Sequence, residues 1–281
     1  MQDISKNPKI LILGSTGYVG SNLKKIIKKE FLLKSINYKK KDKDTLFLNL
    51  QNTKEKIQKI NKFSPEVIIN SSWYGIPIFN KKNCQKSIAD AILFMKIMKK
   101  IKSCKKIIFL GSCAEYKSER KKISLRETSK NLNQTDNLGI YKNKLRRIIF
   151  KKFSKDFNIL WLRLFYVFGR NQKSHTLLKI LQTKKKQIEI NTPDSYIDFI
   201  HIDDVAKLIK KFVLSNIKSG IYNVGTGKGF QIKKVCEKYK KKNLKIIYNY
   251  ANNSKKYIIA NTFKTSKCLK IKKMKYMNII N

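Results

Sequence analysis

One stretch near the start narrows the choice of folds more than any other. A strand-type run, Lys9–Leu13, leads into Gly14-Ser15-Thr16-Gly17-Tyr18-Val19-Gly20, and the helical pattern Tyr18–Lys29 follows directly. Glycine permits a tight turn and lets backbone N–H groups come close to a pyrophosphate. The helix N-terminus behind the turn adds partial positive charge. Such a unit belongs at the carboxyl edge of a parallel sheet. Gly14, Ser15, Thr16, Gly17, Tyr18, Val19 and Gly20 are therefore the first candidates for dinucleotide contacts.

The rest of the chain repeats the alternation of strand and helix. Leu32–Tyr38 and Leu46–Leu48 read as strands, Asn52–Lys62 as an amphipathic helix, and Glu66–Asn70 as the strand after Pro65. Asn83–Lys102 carries Ile88, Ile92, Met95 and Met98 at helical spacing, a core-facing stripe. Lys106–Leu110 and Asn158–Arg163 read as strands around the basic helix Gly139–Phe157. The pattern predicts an α/β doubly wound parallel sheet with right-handed crossovers. Farther on, Asp198–His201 is a short strand, and Asp203 or Asp204 is placed to N-cap a helix running to Ser215. Gly220–Val224 is a last strand, ending in Gly225-Thr226-Gly227. The expected division is 1–170 as the dinucleotide-binding domain and 171–281 as a mixed region. About 197–224 of that region completes the sheet, and the remainder forms a small lysine-rich lobe for substrate.

Composition excludes several other classes. The chain has 281 residues, 42% of them hydrophobic, enough for a full core and too many for a disordered chain. Its formal net charge is +46, yet 58 of the basic residues are Lys and only 6 are Arg. Specific base readers favour the bidentate guanidinium, and these lysines are spread from Lys6 to Lys275. The charge thus reads as a solvated surface that attracts anionic ligands, with weak, salt-sensitive nucleic-acid binding and no specific nucleic-acid partner. Apolar runs such as Ile10–Leu13 and Ile107–Leu110 fall far short of the ~20 residues that span a bilayer. The N-terminal residues show no signal-peptide pattern, so the expected location is the cytoplasm. Cys84, Cys104, Cys113, Cys236 and Cys268 are scattered with no CxxC pair, which argues against a disulfide framework or a zinc site.

Spaced G-x-x-G-x-x-G, the glycine loop resembles that of the extended short-chain dehydrogenase/reductase family, the NAD-dependent sugar-nucleotide epimerases and dehydratases. Other segments match in order. Ser112-Cys113-Ala114-Glu115-Tyr116 resembles the end of the catalytic-serine strand, and Arg163-Leu164-Phe165-Tyr166-Val167-Phe168-Gly169 the R-L-x-N-x-Y-G segment. The run from Tyr196 to Val205 resembles R-D-F-I-H-V-D-D-V. Gly220 to Gly227 resembles G-x-Y-N-V-G-x-G, and Ala260-Asn261-Thr262 with Leu269 echoes A-D-T-x-K…L-G. Ser71-Ser72-Trp73-Tyr74-Gly75-Ile76-Pro77, taken with Gly111–Tyr116, is most similar to the branch that reduces 4-keto sugar nucleotides for surface polysaccharides.

The resemblance implies a Rossmann fold, an NAD or NADP cofactor and a nucleotide-sugar substrate. Pairing of subunits into a homodimer follows by analogy. NAD sites usually place an acid after the second strand, whereas Asn37-Tyr38-Lys39-Lys40-Lys41 has none before Asp42, which favours NADP. Asn37 and Lys39 would lie near the 2′-phosphate, Asn49 and Leu50 beside the adenine, and Ser71, Ser72 and Phe165 along the dinucleotide. Trp73, Tyr74, Cys113 and Tyr166 are the substrate candidates, with a packing role open for Trp73 and Tyr74.

For catalysis the resemblance implies a Ser, a Tyr acid/base and a Lys four residues after it, on one helix face. Ser112 and Lys142 match, but Leu138 stands where the tyrosine belongs, leaving nearby Tyr141 or a water chain as the acid. Tyr166 replaces a substrate-facing Asn. Ile197 replaces an Arg that clamps the substrate diphosphate, leaving Arg170 or a lysine to supply that charge. His201 reads as a structural histidine at a strand end. Two readings stay open: a sugar-nucleotide reductase or epimerase, and a dinucleotide-binding relative impaired in turnover by Leu138.

Overall fold

The computed structural model describes residues 4–37, 43–47, 52–130, 132–133, 135–183, 186–250, 255–272 and 276–279. The first half is β1 (Ile10–Leu13), α1 (Tyr18–Ile27), β2 (Leu33–Ile36), β3 (Thr45–Phe47), α2 (Thr53–Phe63), β4 (Val67–Asn70), α3 (Lys81–Met98) and β5 (Lys106–Ser112). After a single 3-10 turn (Cys113–Glu115) come α4 (Asn137–Phe153), β6 (Asn158–Leu164) and β7 (Tyr166–Phe168). Next are α5 (Leu177–Thr183), β8 (Gln187–Ile190), β9 (Tyr196–Ile197), β10 (Phe199–His201), α6 (Ile202–Leu214) and β11 (Gly220–Val224). The chain closes with β12 (Phe230–Gln231), α7 (Ile232–Tyr239), β13 (Lys245–Tyr248), β14 (Tyr257–Ile258) and α8 (Phe263–Cys268).

The central sheet has the order β11-β6-β5-β4-β1-β2-β3, with parallel pairing throughout. The expected doubly wound α/β sheet is thus present. Its strand order reverses between β1 and β4, and the crevice that opens at such a point lies at the carboxyl ends of the strands. β1 and β4 are buried along their whole length because both faces are covered. On one face Leu23 and Ile27 of α1 pack with Val205, Ile209 and Phe212 of α6. On the other, Ile60 of α2, Phe94 and Met98 of α3 and Leu145 and Ile149 of α4 pack around Trp161. Each such fully buried side chain contributes about 1.5–3 kcal/mol of transfer free energy.

A smaller core gathers Phe168, Leu178, Leu181, Ile197, Phe199, Val235, Cys236 and Leu244. Around it stand the short pairings β10–β7, β12–β9–β14 and β13–β8. The N-cap of α6 differs from expectation. His201 takes that place, its Nδ1 accepting from the Asp203 N–H at 3.2 Å, while Asp203 and Asp204 sit in the first turn. Among the described residues no helix is long and apolar enough to cross a membrane.

Candidate active site

The glycine loop closes around its own backbone. Gly14 has φ +76, and a Cβ there would lie 2.8 Å from the Ser72 backbone. A Cβ on Gly20 would lie 2.2 Å from the Gly14 carbonyl oxygen and 2.6 Å from Ser71 Oγ. No side chain caps α1, whose N-cap is Gly17. Its first-turn N–H groups therefore face outward at the positive end of the helix dipole, a cradle that fits a pyrophosphate. A cavity of about 440 Å³ opens there, lined by Gly14, Thr16, Gly17, Ser71, Ser72 and Trp73 among others. Tyr74 lines it as well.

Ser15 does not face that cavity with a free hydroxyl. It donates to Asn37 Oδ1 at 2.8 Å, and Asn37 Nδ2 donates to Ser35 Oγ and Thr45 Oγ1. Asn37 thus ties the loop to the ends of β2 and β3. Tyr18 and Val19 open α1. Ser71 Oγ donates to the Leu13 carbonyl, and Ser72 Oγ donates to Asn70 Oδ1. Lys39, Asn49 and Leu50 lie outside the described residues.

Lys142 and Ser112 meet at the end of β5. Lys142 is buried; its Nζ donates to the Leu110 carbonyl at 2.7 Å and stands 4.4 Å from the centre of the Trp73 ring. Burial pushes its ammonium down to about 8, with Glu115 pulling the other way. Ser112 Oγ accepts from the Ala114 N–H at 3.1 Å and is within hydrogen-bonding reach of the Cys113 thiol.

Glu115, with no exposed surface, is the residue that organises this strand end and that motif reading did not single out. Its carboxylate accepts from the Ser112 N–H, from Trp161 Nε1 at 2.8 Å, from Arg163 Nε at 2.9 Å and from Arg146 Nε. The visible signal was Ser112-x-x-Glu115, a capping-box spacing that the 3-10 turn realises.

A larger cavity, about 700 Å³, lies between the ends of β5 and β6 and the smaller core. Cys113, Asp136, Tyr166, His175 and Ile197 line it, and Lys117 and Lys256 bring positive charge to it. Burial raises the Cys113 thiol to about 12. Phe165 is placed in neither cavity: it is buried beside Tyr116, Leu125 and Ala260. The late motifs turn out to be ties. Asp198, fully buried, accepts from the N–H groups of Thr226, Gly227 and Ala260. Asn223 binds Tyr116 and the Leu125 and Asn261 carbonyls.

Residues 10–225 match the model of the NAD dependent epimerase/dehydratase family. The chain belongs to this family. Its fold is also that of UDP-glucose 4-epimerase from Thermotoga maritima, solved with UDP-glucose: TM-score 0.76, 16% identity, covering 93% of this chain and 92% of that one. The dTDP-glucose 4,6-dehydratase of Bacillus anthracis, solved with NAD, gives 0.76 at 17% identity over 94% and 90% of the two chains. The ADP-L-glycero-D-manno-heptose-6-epimerase of Helicobacter pylori gives 0.74 at 19% identity over 96% and 92%. No curated protein matches the sequence.

In this member of the epimerase/dehydratase family Leu138 sits in the first turn of α4, its N–H bonded to Asp136, one turn before Lys142. Tyr141 packs instead with the core that α3 and α4 share. Arg170 is engaged with Asp203 at 2.6 Å.

Proposed function

We propose that this protein is a nicotinamide-dependent reductase or epimerase of a sugar carried on a nucleoside diphosphate, 4-keto sugars included, serving surface polysaccharide synthesis. The observation that carries the reading is a pair of cavities at one edge of one sheet. About 440 Å³ lies over an uncapped helix N-terminus, where the centre of the Trp73 ring stands 4.4 Å from Lys142 Nζ, and about 700 Å³ lies under the smaller core, lined by Cys113 next to Ser112.

A bound nicotinamide coenzyme supplies or takes the hydride. The chain's own residues do the rest. The glycine loop and the α1 N-terminus hold the pyrophosphate, and Lys142 presents a buried positive charge beside Trp73. Ser112 donates to the oxygen on the reacting sugar carbon, in the geometry that Glu115 fixes. Lys117 and Lys256 supply the charge for the substrate diphosphate that Ile197 does not. The coenzyme preference is for NADP(H). Asn37, tied to Ser15, Ser35 and Thr45, takes the place at the end of β2 where an acid would repel a 2′-phosphate.

The test is calorimetry with NAD(H) and NADP(H), followed by incubation of the bound protein with UDP-, GDP-, CDP- and dTDP-linked 4-keto and 4-hydroxy sugars. Product is read by proton NMR. Coenzyme-dependent conversion of at least one sugar is expected. Folded protein that converts none overturns the reading.

A further inference from the structure

Leucine 138 leaves the reaction without a proton donor at the expected place. The question is which group in the larger cleft takes over. Tyr116 is committed: it is buried, and its hydroxyl donates to Asn223 Oδ1 at 2.8 Å. Tyr141 packs in the α3–α4 core and does not line the cleft. His175 lines the cleft as an exposed residue on the segment before α5, outside the strands of the sheet.

Tyr166 differs from all three. It follows the end of β6, and Ser112 at the end of β5 is in register with Leu164 on β6. Tyr166 is thus two residues past the partner of Ser112, so both side chains stand at the same edge of the sheet. Its ring lines the cleft beside Cys113 and Asp136 and is held 5.9 Å from the Phe199 ring, while its N–H donates to the Asp198 carbonyl. Asp136 is the N-cap of α4, two residues before Leu138. Tyr166 therefore shares the cleft with the residue that caps the helix lacking the phenol. It is 43% exposed, open to the cleft, and its hydroxyl has no hydrogen-bond partner among the described residues.

We infer that Tyr166 is the relocated proton donor of this active site. The inference rests on the functional reading above. When the sugar carbonyl becomes an alcohol, the Tyr166 O–H bond breaks as a new O–H bond forms on the sugar oxygen. The phenolate that remains takes a proton from water in the open cleft. An ordinary phenol is protonated at neutral pH, the form a donor needs, and can give that proton to a developing alkoxide.

Tyr166→Phe removes one oxygen from a cleft-facing ring and preserves its packing on Phe199. With a nucleotide sugar that the wild type converts, kcat should fall at least ~100-fold while KM stays within about threefold. Leu138→Tyr added to Tyr166→Phe should recover at least about tenfold. A readout without coenzyme uses protein labelled with 13C at the tyrosine ring. The resonance missing from Tyr166→Phe should shift when UDP-glucose or dTDP-glucose is added. A Tyr166→Phe protein that keeps more than about a third of kcat overturns the inference, as does a kcat loss confined to Tyr141→Phe. The inference also falls if the Tyr166 resonance stays still while other cleft resonances move. If the wild type binds coenzyme yet converts no sugar, the functional reading falls first and carries this assignment with it.

Discussion

Lys142 is held in a position that disfavours its own charge. An ammonium buried against Trp73 with one carbonyl acceptor keeps its proton only to about pH 8. The unfolded chain keeps that proton to about 10.5. Between these values the unfolded state binds more protons, so this residue makes stability rise with pH, by up to ~1.4 kcal/mol per pH unit. Lys142→Met should flatten that slope in urea titrations between pH 8 and 9.5. It should also weaken coenzyme binding about tenfold at pH 7, and wild-type affinity should fall as pH rises through about 8. Glu115 is the opposite case, a buried carboxylate saturated with donors. Glu115→Ala leaves Arg163, 1% exposed, with no carboxylate partner. That should cost about 3–5 kcal/mol in urea denaturation.

At the scale of elements, the unit β1–glycine loop–α1 works because strand and helix nearly touch. Gly20→Ala places a methyl 2.2 Å from the Gly14 carbonyl oxygen and 2.6 Å from Ser71 Oγ, so the Gly14 backbone has to shift. Calorimetry should show coenzyme affinity down at least tenfold, with the melting temperature lowered by several degrees. This unit was legible because buried parallel strands read as continuous apolar runs and helices as stripes. Lys9–Leu13, Glu66–Asn70 and Gly220–Val224 fall on β1, β4 and β11 within a residue. Less legible was everything decided by contacts distant in sequence. Tyr166–Phe168 reads as the tail of a motif, yet it pairs with Phe199–His201 as a separate sheet. Asn37, expected near the 2′-phosphate, has its amide oxygen bonded by Ser15, a tie no local pattern reports. Trp73 and Tyr74 line the glycine-loop cavity, whereas Cys113 and Tyr166 line the larger cleft. Phe165, inside a binding motif by sequence, serves packing. Local pattern reports which residues are apolar and which turn; it does not report which polar atom has already been taken.

The whole molecule carries Lys+Arg 64 against Asp+Glu 18. With so few acids to pair, most of that charge repels itself through solvent, at distances comparable with the ~8–10 Å Debye length of physiological salt. Raising sodium chloride from 20 to 300 mM should therefore raise the melting temperature by several degrees, measured by calorimetry. The same change should slow the capture of anionic ligands, which long-range attraction draws toward the cleft.

Asp198 sits where the two cores adjoin, binding Thr226, Gly227 and Ala260 while its own carbonyl receives Tyr166. A floor, a wall and a roof thus share a single rivet. Closure of the cleft by a hinge across that point would have to tear it out, so ligand discrimination falls to the other lining residues, Lys117, His175 and Lys256 among them. Diversification of this scaffold toward new donors should proceed by exchanging these lining residues while the rivet stays in place.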